Sequence, residues 1–173
     1  MGDILKFRAV LFDLDGTLLD TLTDIAAAAN TTLAELGCPL HPVADYRHFV
    51  GGGLVNLAQR VLPADRRMPD RLAAFAAGFR ANYEMNWHQH TRPYDGVAAL
   101  LDLLTARRLP MVVLSNKPDD FTRRMVAHYF PGWQFAAVAG EREGIAPKPD
   151  PAGAVAMARH LGVPEKEVLY LGD

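Results

Sequence analysis

Four short runs of the chain are apolar at every position: Ala9-Val10-Leu11-Phe12, Met111-Val112-Val113-Leu114, Phe135-Ala136-Ala137-Val138 and Val168-Leu169-Tyr170-Leu171. Unbroken apolarity, rather than alternation, suits strands covered on both faces, as in a parallel sheet flanked by helices. Between the later runs, apolar positions recur at helical spacing. Val97, Leu100, Leu101 and Leu104 follow Asp95; Met125, Val126 and Tyr129 follow Asp119; and Asp150-Pro151 opens a helix that Gly162 ends. Asp95, Asp119 and Asp150 are the expected N-caps. Strand and helix in alternation predict the α/β class, with a Rossmann-like parallel sheet.

The first crossover breaks the rhythm. From Asp13 to Pro110 lie roughly a hundred positions, where a crossover needs only a dozen or more. Their content is helical. Thr21 and Asp24 form a capping-box-like pair ahead of Ile25, Ala29, Leu33 and Leu36, with Gly37 as the stop. Leu54, Leu57, Ala58, Val61 and Leu62 mark a second helix, and Leu72, Phe75, Ala76, Phe79 and Tyr83 a third. Residues 20–90 therefore read as an inserted helical subdomain. The core is then assembled from 1–19 and 91–173.

Composition narrows the class of protein. Half of the 173 residues are hydrophobic, 22% are charged and the net charge is −2, which excludes disorder and argues against a general nucleic-acid or anionic-membrane binder. The one cysteine, Cys38, makes no internal disulfide. No window approaches 18 unbroken apolar residues, and Met-Gly-Asp-Ile-Leu-Lys at the start has no long apolar stretch. A cytoplasmic protein with no nucleic-acid or membrane partner is the expectation.

The chemistry collects where strands end. Phe12 leads into Asp13-Leu14-Asp15-Gly16-Thr17, Leu114 into Ser115-Asn116-Lys117, the third run towards Pro147-Lys148-Pro149-Asp150, and Leu171 into Gly172-Asp173. Ligands of open α/β sheets bind at the carboxyl ends of strands, so these residues are expected to share one crevice. Their types suit phosphoryl transfer. One carboxylate of the Asp13/Asp15 pair would attack phosphorus, and the second would protonate the leaving oxygen and then activate water. Ser115 would hold phosphoryl oxygens and Lys148 would neutralise charge. A hard Mg²⁺ ion would take oxygen ligands from Asp13, Asp15 and Asp173. Other features carry less: His88 and His90 lack metal-ligand spacing, and the pairs Arg66-Arg67, Arg107-Arg108 and Arg123-Arg124 read as solvated helix faces.

Phe12-Asp13-Leu14-Asp15-Gly16-Thr17-Leu18-Leu19-Asp20-Thr21 resembles motif I of the haloacid dehalogenase superfamily. Ser115-Asn116-Lys117-Pro118, Lys148-Pro149-Asp150-Pro151 and Gly172-Asp173 resemble motifs II, III and the start of IV. Val50-Gly51-Gly52-Gly53 and Arg92-Pro93-Tyr94-Asp95-Gly96-Val97 resemble segments of the phosphoglycolate phosphatases within it. The resemblance implies a Mg²⁺-dependent phosphatase acting on a small phosphate ester, with 2-phosphoglycolate as the candidate. Asp13 would form an aspartyl-phosphate, Asp15 would serve as acid and base, Ser115 would bind phosphate and Lys148 would stabilise the intermediate. Asp13, the Asp15 carbonyl and Asp173 would hold Mg²⁺. Thr17, Asn116 and the cap residues Gly51, Gly52 and Gly53 would contact substrate. A sugar phosphomutase, or an impaired copy that binds phosphate or a partner, would share these motifs. In the family, motif IV continues past its first aspartate. A chain closing at Asp173 is therefore expected to bind Mg²⁺ weakly and, unless monomeric, to associate through an open edge at Val168–Leu171.

Overall fold

The computed structural model describes residues 7–172. In chain order these form β1 (Ala9–Phe12), β2 (Leu19–Asp20), α1 (Leu22–Glu35), α2 (Tyr46–Phe49), α3 (Gly53–Val61), α4 (Pro69–Asn86), β3 (Arg92–Pro93), α5 (Val97–Ala106), β4 (Met111–Pro118), α6 (Asp119–Tyr129), β5 (Ala137–Glu141), α7 (Ala152–Leu161) and β6 (Val168–Leu171). The chain divides into two compact units, Met1–Leu19 with Pro93–Asp173, and Asp20–Arg92. It leaves the first unit within β2 and returns within β3, two residues later than the sequence places the return.

The first unit is built on a four-stranded sheet in the order β5-β4-β1-β6, parallel in every pairing. Every residue of β1 is buried, as its apolar run requires, and β6 lies beside it in the register Phe12↔Leu171. Leu11, Val112, Leu114, Ala139 and Met157 form a core cluster that packs α7 onto the sheet. Register places the end of β1 beside the middle of β4, with Phe12 opposite Val113.

In the second unit, α4 turns Phe75, Phe79 and Tyr83 inward as a stack of rings whose successive centroids are 6.1 and 5.4 Å apart. They are buried together with Ile25, Ala29 and Leu33 of α1 and Leu57, Ala58 and Val61 of α3. Among the described residues, no helix is long and apolar enough to cross a membrane.

Several local expectations change. The third strand starts at Ala137 rather than Phe135 and runs on through Gly140 and Glu141, because the Phe135 ring joins Phe130 instead, 6.2 Å between centroids. The second strand continues from Leu114 through Ser115, Asn116 and Lys117 to Pro118. Gly96, not Asp95, precedes α5, at φ 86°. Asp119 is the first residue of α6 and not its cap, its two oxygens accepting from the Gly140 N–H and the Arg123 side chain. Asp150 does accept the N–H of Ala152 at 2.8 Å, although α7 begins one residue later than expected.

The capping box also fails. Thr21 precedes α1 without a side-chain cap, and Asp24 faces the returning chain instead. Its carboxylate accepts the backbone N–H groups of His90 and Thr91, the Thr91 hydroxyl and the His90 ring, all at 2.8–3.0 Å.

Candidate active site

Asp13 stands directly after β1 because that strand exhausts its apolar run at Phe12. Its N–H still bonds the Leu171 carbonyl at 2.9 Å, so the residue is held in line with the sheet. The chain then turns sharply: Leu14 accepts the N–H groups of Thr17, Leu18 and Leu19, and Gly16 takes φ 78°, a left-handed conformation that favours glycine. The turn brings Asp15 back beside β4.

Two lysines meet the two aspartates. Lys148 Nζ lies 2.5 Å from Asp13 Oδ2, while Asp13 Oδ1 accepts the Leu14 N–H at 2.7 Å. Lys117 Nζ reaches both oxygens of Asp15, at 2.8 and 3.0 Å. Burial raises the Asp13 carboxyl above its ordinary pKa, and the Asp15 charge adds to the rise; Lys148 and the Leu14 amide only partly offset it. A partly buried carboxylate perturbed in this way marks a candidate functional site.

Ser115 is buried within β4, and its Oγ accepts the N–H of Lys117 at 3.2 Å. Asn116, expected to contact substrate, turns its side chain to Lys148. Its Oδ1 accepts the Lys148 N–H and its Nδ2 donates to the Lys148 carbonyl, both at 2.8 Å. The side chain thereby fixes the backbone that carries the lysine. A small pocket lined by Leu114, Ser115, Asn116, Gly140, Lys148 and Gly153 opens alongside.

Asp13, Asp15, Ser115, Asn116 and Lys148 thus gather in the first unit, and Thr17 lies in the same turn. Gly51, Gly52 and Gly53 belong to the second unit, where all three have positive φ as the chain enters α3. Asp173 lies outside the described residues. In the sequence Lys117 stands out only as part of a motif. A lysine in a polar run after a strand looks solvated, and its partner lies 102 positions away.

Hard carboxylate oxygens are the donors Mg²⁺ takes, and one or two carboxylates with substrate phosphate complete many such sites. The Asp13 carboxylate fits that pattern, with the Asp15 carbonyl oxygen two residues on. Among the described residues no three His, Cys, Asp or Glu side chains form a metal cluster by themselves.

Over most of its length the chain is similar to known proteins. The chain is 32% identical over 169 residues to the phosphoglycolate phosphatase of Pseudomonas savastanoi pv. phaseolicola, covering 96% of the chain but 62% of that protein. It is 33% identical over 172 residues to the phosphoglycolate phosphatase of Thiobacillus denitrificans, covering 98% of the chain and 76% of that protein. The chain therefore spans less than two thirds of the length of the first of these relatives. A crystal structure of a predicted phosphoglycolate phosphatase from Haemophilus somnus superposes with a TM-score of 0.88 at 25% identity, over 97% of this chain and 77% of that one. The family model for haloacid dehalogenase-like hydrolases matches residues 10–173, and the chain belongs to that family.

Proposed function

We propose that the protein is a phosphatase of small phosphate monoesters that works through an aspartyl-phosphate on Asp13. The observation that carries this reading is the partly buried Asp13 carboxylate directly after β1, facing Lys148, with Asp15 two residues on and Ser115 on the neighbouring strand. An oxygen of Asp13 attacks phosphorus and the bond from phosphorus to the leaving oxygen breaks. Asp15 gives that oxygen its proton. Asp15 then takes a proton from water, which attacks the phosphoryl group and frees both phosphate and Asp13. Lys148 balances charge as it builds on the transferring group, and Ser115 orients its oxygens. Asp13 and the Asp15 carbonyl, with Asp173, would hold Mg²⁺, which supplies further neutralisation of phosphoryl charge when bound.

The names of the curated relatives make 2-phosphoglycolate the first substrate to try. The helical unit, with its Gly51–Gly53 segment, would act as a cap that contacts the ester. Phosphate release from 2-phosphoglycolate and a panel of sugar and aryl phosphates, with Mg²⁺ and with chelator, tests the reading. Metal-dependent release is expected, fastest on a small ester. Release by an Asp13→Asn protein at the wild-type rate would remove Asp13 from the role.

A further inference from the structure

Lys117 is a buried cation in a place where nothing in the proposed chemistry calls for one. Its side chain is 6% exposed and that of Asp15 is 15% exposed, so the pair sits largely out of water. An ion pair so placed is worth forming only where its geometry is good, and here one ammonium serves both carboxylate oxygens at 2.8 and 3.0 Å.

The backbone beneath Lys117 is fixed from several sides. Its N–H donates to Ser115 Oγ at 3.2 Å, and its carbonyl accepts the Thr122 hydroxyl at 3.1 Å. Gly140 of β5 comes so close that a Cβ there would collide with the same carbonyl oxygen. Asp119 holds the Gly140 N–H at 2.8 Å. A long flexible side chain springs from a rigid anchor, so the ammonium has a defined place.

We propose that Lys117 is the positioning residue of Asp15: by holding both oxygens it sets where the proton-carrying carboxylate stands beside Asp13. This rests on Asp15 being the proton carrier, as proposed above. Lys148 and Lys117 then divide the work, one facing the nucleophile and one orienting its neighbour. A carboxylate that must reach a leaving oxygen gains rate from placement, since an error of about 1 Å can cost about a hundredfold.

The test compares Lys117→Met, Lys117→Arg and Asp15→Asn proteins, together with the double variant Asp15→Asn/Lys117→Met, on an alkyl and an aryl phosphate. Lys117→Met should lower kcat on the alkyl ester about tenfold to a hundredfold and lower it less on the aryl ester, whose leaving oxygen needs less protonation. KM should hold. Lys117→Arg keeps a cation in place and should recover part of the loss; it also serves if the Met variant fails to fold. In the Asp15→Asn background, Lys117→Met should cost nothing further. Losses that multiply in the double variant, or a raised KM at unchanged kcat, would overturn the proposal in favour of a structural or phosphate-binding lysine.

A second readout is independent of turnover. With ¹⁵N-labelled lysine, the Lys117 ammonium resonance should move on Asp15→Asn more than on Asp13→Asn. An unmoved resonance overturns the pairing even in a fully active protein. Absence of phosphate release from the wild-type protein would strike the phosphatase reading instead, and the resonance would still decide the pairing.

Discussion

Asp13 and Asp24 are both withdrawn from solvent, yet their surroundings push them in opposite directions. The Asp24 side chain is the more completely closed off from solvent, 1% exposed, while Asp13 lies deeper within its unit. Burial works against its charge, but the His90 and Thr91 N–H groups, the Thr91 hydroxyl and the His90 ring outweigh that and hold its pKa below the ordinary value. At Asp13 burial prevails over Lys148 and the Leu14 amide, and the pKa rises. Depth and the supply of fixed donors together decide the outcome. Asp24 is held by two backbone N–H groups and two side chains of the returning chain. Asp13 has one amide on one oxygen and a lysine on the other.

The largest expected effect separates chemistry from fold. Asp13→Asn should lower turnover by at least about a thousandfold, because an amide forms no acyl-phosphate. Its melting temperature at neutral pH should not fall. The raised pKa means that ionised Asp13 costs the folded state stability above its folded pKa, a cost absent below the ordinary 3.8. A steep loss of stability with full turnover would invert the comparison.

Asp24→Asn should do the reverse. An amide group among donors leaves some of them unpaired, at a cost of about 3 kcal/mol. For a chain of this size that lowers the melting temperature by roughly 6–12 °C, while turnover of the folded fraction stays within a few-fold. The sign with pH is also set. A depressed pKa contributes stability that is complete above the ordinary 3.8 and is lost as pH falls through the lower folded value. Denaturant melts of wild type and Asp24→Asn should therefore differ at pH 7 and converge in acid below 3.8. A gap that stays constant down to the lowest accessible pH would show that the carboxylate charge is not what the clasp uses.

The smallest effect should come from His90→Ala. The ring is 60% exposed, and Asp24 keeps both backbone N–H groups and the Thr91 hydroxyl without it. The loss should stay below about 1 kcal/mol. A loss as large as that of Asp24→Asn would transfer the clasp from backbone to ring.

The same contrast explains what the amino-acid order could reveal. β1 and β6 are legible to the residue because four apolar positions in a row have few other uses than a covered strand. The placement of Asp13 directly after β1 follows from such a run, whereas β4 runs on past Ser115 to Pro118 and Lys148 lies in the loop beyond β5. β5 is displaced by two residues because Phe135 finds an aromatic partner in the loop and because Gly140 and Glu141 carry no apolar signal. Asp24 imitates a local cap while its real partners lie 66 and 67 positions away. Lys117 hides in the same manner. Local patterns report the strands and the turn at Gly16; contacts closed only by the tertiary fold leave no mark in them.

The two hydrogen bonds between Asn116 and Lys148 bear on how this chain can change its length. They pin the lysine's own backbone to the strand on which Ser115 sits. The exposed stretch from Arg142 to Ala146 that leads up to it is then free of the duty of placing the ammonium. Doubling the length of a flexible loop costs only about 0.6 kcal/mol, so residues inserted before Ala146 would lengthen the approach and leave its destination in place. A single side-chain amide thereby uncouples the size of a surface loop from the position of the cation it carries.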